Sequence, residues 1–163
     1  MARPQKPFPD STERFSKYLP KGKDVTLIVL KTHLLAELEL NELLELRLPH
    51  PERLHKSRFS FVQRLRILEA ISTDPEVHLL ARAIESLNEI RNSLAHQLEA
   101  PNIEIAAATF IHRAKYAAYD ARSRHRSANV SPKKKDFTVN SLKFASAIVI
   151  GLLARHKQVA MQV

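Results

Sequence analysis

The 163-residue sequence contains no cysteine and only two glycines. Without cysteine the chain has neither disulfides nor thiolate chemistry, a composition that fits a reducing cytoplasm. A sheet protein of this length would need more turn glycines, so an all-helical fold is favoured. The most apolar run, Leu142 to Ala154, contains a lysine and is shorter than the roughly 20 residues that span a bilayer. We therefore expect a cytoplasmic protein that does not enter a membrane.

Motifs of metal and nucleotide enzymes are also missing. The eight histidines are scattered, without HExxH or paired-carboxylate spacing, so we expect no metal site. There is no glycine-rich loop to hold phosphates, which argues against an NTPase, and we expect no cofactor. The N-terminus lacks the apolar segment of a signal peptide.

The formal net charge is +9, and its basic excess is local. Between Arg113 and Lys135 there are eight lysines and arginines against the single acid Asp120. Such a cluster is typical of contact with phosphate backbones, although a solvated helix face and linker would look similar. The candidate nucleic-acid-binding residues are Arg113, Lys115, Arg122, Arg124, Arg126, Lys133, Lys134 and Lys135.

Apolar periodicity and turn signals predict an all-α, up-and-down bundle of five to six helices. Asp10, Asp24 and Asp74 are predicted N-caps, and Pro75 suits the first helical position. The predicted helices cover about residues 11–18, 24–48, 52–71 (starting at Glu52 or at Ser57), 75–98, 103–124 and 138–156. The predicted organisation is an irregular N-terminal segment with a short helix (1–23), the bundle (24–124), a basic linker (125–136), and a C-terminal helix and tail (137–163).

The second predicted helix is apolar around most of its circumference. Leu27, Leu30, Leu34 and Leu38 supply its apolar face. Ile28 and Leu35, among others, widen that face well beyond a surface helix. The helix is therefore expected to be central, or to bury a second face against a partner.

An arginine interrupts the apolar stripe of the helix that begins near Pro75. Arg91 lies seven residues from both Ile84 and Leu98 on this stripe, and a guanidinium is rarely buried unpaired. Asn92 and His96 lie on the neighbouring polar stripe. Arginine offers a planar donor fork that suits a phosphate, and histidine moves protons near neutral pH. Together these groups can hold a phosphodiester and activate a ribose 2′-hydroxyl without metal or cysteine.

The run Arg91-Asn92-Ser93-Leu94-Ala95-His96 resembles the R-x4–6-H signature of the HEPN superfamily, including the polar residue after the arginine. The resemblance covers roughly residues 24–124. It implies a helical bundle and a metal-independent endoribonuclease whose two copies face their motifs across one cleft. It also implies that Arg91 and His96 are catalytic and that Asn92 positions them or contacts phosphate. Many members are toxins of toxin–antitoxin or antiphage systems, often paired with a minimal nucleotidyltransferase antitoxin.

Other interpretations remain open at this point. Some toxins of the family carry a tyrosine that the partner enzyme modifies where this chain has Leu98, so that regulation is not expected here. Mannitol-repressor relatives are non-catalytic regulators or binding modules. Arg91 can instead form a salt bridge with Glu37 or Glu85, and His96 can simply favour the helix dipole. His33, Glu37 and Glu85 are candidate supporting residues around the catalytic groups, or polar groups packed in the interior.

Overall fold

The computed structural model describes residues 10–55, 57–96, 102–120 and 133–162, and these ranges are helical with no strand. An all-α bundle is therefore confirmed. The described ranges contain seven α-helices: α1 (Ser11–Tyr18), α2 (Val25–Arg47), α3 (Pro51–His55), α4 (Phe61–Ile71), α5 (Pro75–His96), α6 (Ile103–Asp120) and α7 (Val139–Met161). A 3₁₀ turn, Lys134–Asp136, precedes α7.

The prediction of five to six helices is wrong because the predicted third helix is divided in two. Ser60 has extended backbone and forms a capping box with Gln63, which starts α4 separately from α3. Elsewhere the predicted starts hold. Asp24 accepts a hydrogen bond from the Leu27 amide at 3.0 Å, and Asp74 accepts one from the Glu76 amide at 2.9 Å.

The core lies between α2, α5, α6 and α7, and α7 belongs to it as an integral helix. Two contacts give the relative direction of α2 and α7. Thr32 of α2 donates to Ser146 of α7 at 2.9 Å, and Glu39, later in α2, accepts from Lys157, later in α7. These two helices therefore run in the same direction. His33 of α2 contacts Asn88 of α5, and the later Arg47 contacts Ser72, which precedes α5. Thus α2 and α5 run antiparallel, and a strict up-and-down order does not hold for α2 and α7.

The apolar face predicted for α2 lies on the exposed side of the helix. Leu27, Leu30, Leu34 and Leu38, here called the leucine row, are 43%, 37%, 54% and 47% exposed. The opposite side of α2 is buried instead, through residues that include Ile28, Val29, Leu35, Ala36 and Leu40. Periodicity cannot choose between two apolar sides of one helix.

Buried charges decide which side of α2 faces inward. Glu39 has no solvent exposure, and the Lys157 ammonium donates to it at 2.7 Å, to Glu42 at 2.6 Å and to Ser11 at 2.9 Å. Arg14 also donates to Glu39 (3.1 Å) and to Glu42 (2.8 Å). These five residues, here called the Lys157 network, connect α1, α2 and α7. Each buried charge has partners, as burial of ions requires.

Within the described ranges, no helix combines the length and the apolar character needed to cross a bilayer.

Removing the buried ammonium is expected to destabilise the fold. Lys157→Met keeps side-chain length but removes a positive partner from the carboxylates of Glu39 and Glu42, at a cost of about 3 kcal/mol in the free energy of unfolding. Urea denaturation measures this change. The control is Lys143→Met on the same helix, which removes only an exposed hydrogen bond to the Lys21 carbonyl and should cost less than about 1 kcal/mol. Equal stability of the two variants would contradict the role assigned to the network.

Candidate functional site around Arg91

The last turns of α5 carry the predicted catalytic residues. Arg91 and Asn92 are half-buried, and His96 is exposed at the last residue of the helix. The Arg91 guanidinium donates to Asn92 Oδ1 at 3.1 Å. Arg91 and His96 are five residues apart, about 7.5 Å along the helix axis and about 140° around it. They can therefore flank a ligand from two sides, but they do not point in the same direction.

His33 of α2 joins this region through Asn88 of α5. His33 is 6% exposed, its Nε2 lies 3.1 Å from Asn88 Oδ1, and its ring lies 4.4 Å from the ring of Phe61 between centroids. An amide oxygen only accepts, so the Nε2–H tautomer donates this bond. Burial lowers the pKa of His33; the Asn88 bond and Glu37 oppose the shift, and the charge of Arg91 adds to it. His33 is thus neutral at pH 7, and its hydrogen bond to Asn88 connects α2 to α5.

The two carboxylates considered as partners of Arg91 contact other arginines. Glu37 lies 3.8 Å from Arg64, and Glu85 forms an ion pair with Arg66. Both arginines belong to α4, which packs against α2 and α5. Among the described residues Arg91 has no ion pair, and the alternative of a salt bridge to Glu37 or Glu85 is not observed.

These residues form one polar group at the seam between α2 and α5. We call His33, Glu37, Asn88, Arg91 and Asn92 the Arg91 cluster. Its fixed positive charge is held in orientation by Asn92 and is not neutralised by a carboxylate in the described part of the chain. Such a guanidinium is suited to bind a phosphate or carboxylate group.

The basic residues predicted to bind RNA differ in their surroundings. Arg113 donates to Ser86 Oγ at 2.6 Å and approaches the Arg82 carbonyl, so it connects α6 to α5. Lys134 forms an ion pair with Glu104 at 2.6 Å. Lys115, Lys133, Lys134 and Lys135 are exposed. Arg122, Arg124 and Arg126 lie outside the described residues, as does Leu98.

A different group of side chains places possible metal-ligand atoms close together. Asp74, Glu76 and His156 offer ligand atoms within 4.8 Å of one another. His156 Nε2 lies 3.4 Å from Glu76 Oε1, and Arg155 forms an ion pair with the same oxygen. Burial lowers the pKa of His156, against the opposing charges of Glu76 and Asp74. A cation would have to displace Arg155, so the arrangement fits an anchor between α7 and the start of α5.

Sequence reasoning missed Asn88 and Arg64. Asn88 precedes Asn92 by four residues and therefore shares its helix face, a signal that was present in the sequence. Arg64 donates to Asn41 at 2.8 Å and approaches Glu37, and it depends on how α4 crosses α2, which no local pattern encodes. Its Nε is buried and makes no hydrogen bond to the described residues.

Comparison with protein-family models, with curated proteins and with solved structures finds no match to this chain.

Acid is expected to weaken the fold through His33. Because burial holds the pKa of His33 below its ordinary value of 6.5, the unfolded chain binds the proton more readily than the folded one. The neutral His33 therefore makes its full contribution to the free energy of unfolding above about pH 6.5. This contribution decreases as the pH falls from there toward the pKa of His33 in the folded protein. His33→Gln should reduce the fall in Tm between about pH 7.5 and pH 5.5 by at least about 2 °C.

His156 is also a buried histidine with a lowered pKa, and it is present in the wild type and in His33→Gln. The variant should therefore keep part of the fall in Tm in acid. The control is His50→Gln, whose imidazole is exposed, and this variant should keep the full wild-type loss. An unchanged fall in Tm for His33→Gln would contradict the assignment of His33 as a buried neutral histidine.

Proposed function

We propose that the protein is a metal-independent endoribonuclease of the HEPN type that acts as a homodimer in the cytoplasm. One observation carries the proposal: Arg91 is held by Asn92 on α5, without an ion pair to a described residue, while His96 lies exposed on the same helix. A cation that no carboxylate neutralises can bind a phosphodiester, and an exposed imidazole can exchange a proton with it.

The reaction needs only these side chains. The imidazole of His96 accepts the proton of a ribose 2′-hydroxyl, and the 2′-oxygen attacks the adjacent phosphorus. The bond to the 5′-oxygen then breaks, and this oxygen leaves with a proton from the His96 of the second copy. Arg91 stabilises the negative charge of the pentacoordinate phosphorane, and Asn92 holds the guanidinium in place. His33, Asn88 and Glu37 support this end of α5.

RNA affinity in this proposal comes from basic residues away from the reacting groups. Lys115 and the run Lys133–Lys135 are exposed and supply charge that is independent of base sequence. Arg122, Arg124 and Arg126 extend this basic segment in the sequence. Arg113 is engaged by Ser86, so we assign it a structural part and a smaller share of the binding.

The biological setting that we propose is a toxin–antitoxin or antiphage system. A minimal nucleotidyltransferase is the proposed antitoxin. Since Leu98 stands at the position of the modified tyrosine, inhibition would depend on binding and not on modification of that residue.

A second candidate function is a non-catalytic regulator or dimerisation module of the mannitol-repressor type. The exposed leucine row favours this candidate, because four neighbouring leucines on a central helix are typical of a protein-binding surface. The same row also suits the proposed homodimer, so catalysis decides between the two functions.

Cleavage of RNA in the presence of EDTA tests the proposal. The wild-type protein should cleave single-stranded RNA to products with 2′,3′-cyclic phosphate ends. Arg91→Ala and His96→Ala should each reduce the rate by at least about 100-fold, because one removes charge stabilisation and the other removes proton transfer. Gel separation of end-labelled RNA measures the rates.

Two matched controls lie on the same helix. His78→Ala and Arg82→Ala each remove an exposed side chain of the same type from α5 and should keep wild-type rates. All variants are compared at the same oligomeric state. Failure of the wild type to cleave any of several structured and unstructured RNAs would reject the nuclease and favour the regulator.

A further inference from the structure

The outward side of α2 is as apolar as many inward-facing helix surfaces. The members of the leucine row are separated by three, four and four residues, which places them on one stripe that extends about 16 Å along the helix. Each is more than a third exposed, although the remaining sides of α2 are covered by α7, α5 and α4. Large apolar residues exposed contiguously in this way usually mark an interaction surface.

The charges along α2 indicate what binds there. Lys23 lies just before α2 and Lys31 in its first half, whereas Glu37 and Glu45 lie in its second half. Glu42 is already bound by the two cations of the Lys157 network and does not add to this pattern. A second α2 placed antiparallel would bring the basic end of each helix to the acidic end of the other. A parallel arrangement would bring like charges together, which is unfavourable. The surface is therefore complementary to itself in one orientation only.

We propose that two copies of this chain pair through the leucine row, with their α2 helices antiparallel about a two-fold axis near Leu34. Position 34 lies midway between positions 30 and 38, and also midway between 23 and 45. In this register Leu34 meets its own copy, Leu30 meets the partner's Leu38, and Lys23 faces the partner's Glu45. Every contact is made twice, as in the two-fold interfaces of most homodimers.

RNA does not fit the row as well as a second copy does. A phosphate backbone requires several lysines or arginines along its path. The stripe itself carries leucines, and the side chains beside its second half are acidic. The exposed basic residues Lys115 and Lys133–Lys135 belong to α6 and to the segment before α7.

The pairing also orients the Arg91 cluster. His33 and Glu37 border the row on the side of α2 that faces α4 and α5. In a two-fold antiparallel pair, the same edge of each helix lies on the same side of the interface. The two Arg91 clusters would therefore open toward one groove. The role of this groove rests on the proposed function. The pairing itself rests only on the leucine row and the charges beside it.

Sedimentation equilibrium of the wild type and of Leu34→Glu tests the surface. Two carboxylates at the two-fold axis should raise the dissociation constant of the dimer by at least about 100-fold. The side chain of Leu34 is exposed in one copy, so the variant should keep the wild-type circular dichroism spectrum. The control is Phe144→Glu on α7, an exposed apolar residue outside the row (59%), which should remain dimeric.

Cysteine cross-linking tests the orientation, because the natural chain has no cysteine. Leu34→Cys should form a disulfide-linked dimer by itself. Leu30→Cys and Leu38→Cys should each fail to cross-link alone, since like positions would be about 12 Å apart along the axis. Mixed together, these two variants should cross-link. Cross-linking of each variant with itself would overturn the antiparallel orientation.

The outcomes separate the pairing from the nuclease. A monomeric wild type at about 50 μM, or a Leu34→Glu variant that dimerises like the wild type, would overturn the inference. A wild type that dimerises through the row but cleaves no RNA would support the pairing and reject the nuclease. A monomeric Leu34→Glu variant with full cleavage would support the pairing and reject the shared groove.

Discussion

A carboxylate with no solvent exposure, in the middle of an apolar helix, constrains the whole bundle. Glu39 is accommodated because Lys157, Arg14 and Ser11 reach it from α7 and α1. Leaving any of these charges buried without a partner would cost several kcal/mol. α1, α2 and α7 are therefore restricted to one rotation and one register, which apolar contacts alone would specify much less strictly. The Thr32–Ser146 hydrogen bond lies further along the same α2–α7 interface and restricts it again.

The rotation of α2 determines what its other sides present. With Glu39 directed inward, the leucine row points outward, and His33 is directed to the seam with α5. There its buried imidazole donates to Asn88, on the same face of α5 as Asn92 and one turn before Arg91. The exposed apolar surface and the candidate site thus share one cause, the inward orientation of the Lys157 network.

The fold was predictable from the sequence where the signals are local. Asp24, Asp74 and Pro75 mark helix starts because caps and prolines act within one turn. The orientation of α2 was not predictable, since apolar residues occur on both of its sides and the decisive pair, Glu39 and Lys157, is separated by 118 residues. The same limit applies to the candidate site. Arg91, Asn92 and His96 form a local motif, but the contact of His33 with Asn88 depends on how two distant helices meet.

In the proposed site the charge of Arg91 is available to a ligand, because the α4 arginines contact the carboxylates that were candidate partners of Arg91. Arg64 approaches Glu37, and Arg66 pairs with Glu85. Arg91 keeps its positive charge at the seam, with Asn92 as its described hydrogen-bond partner. In the proposed dimer two such guanidiniums would face one groove and repel each other. A phosphodiester between them would relieve this repulsion, so in the proposed dimer the pairing of α2 and the binding of an anionic chain would favour each other.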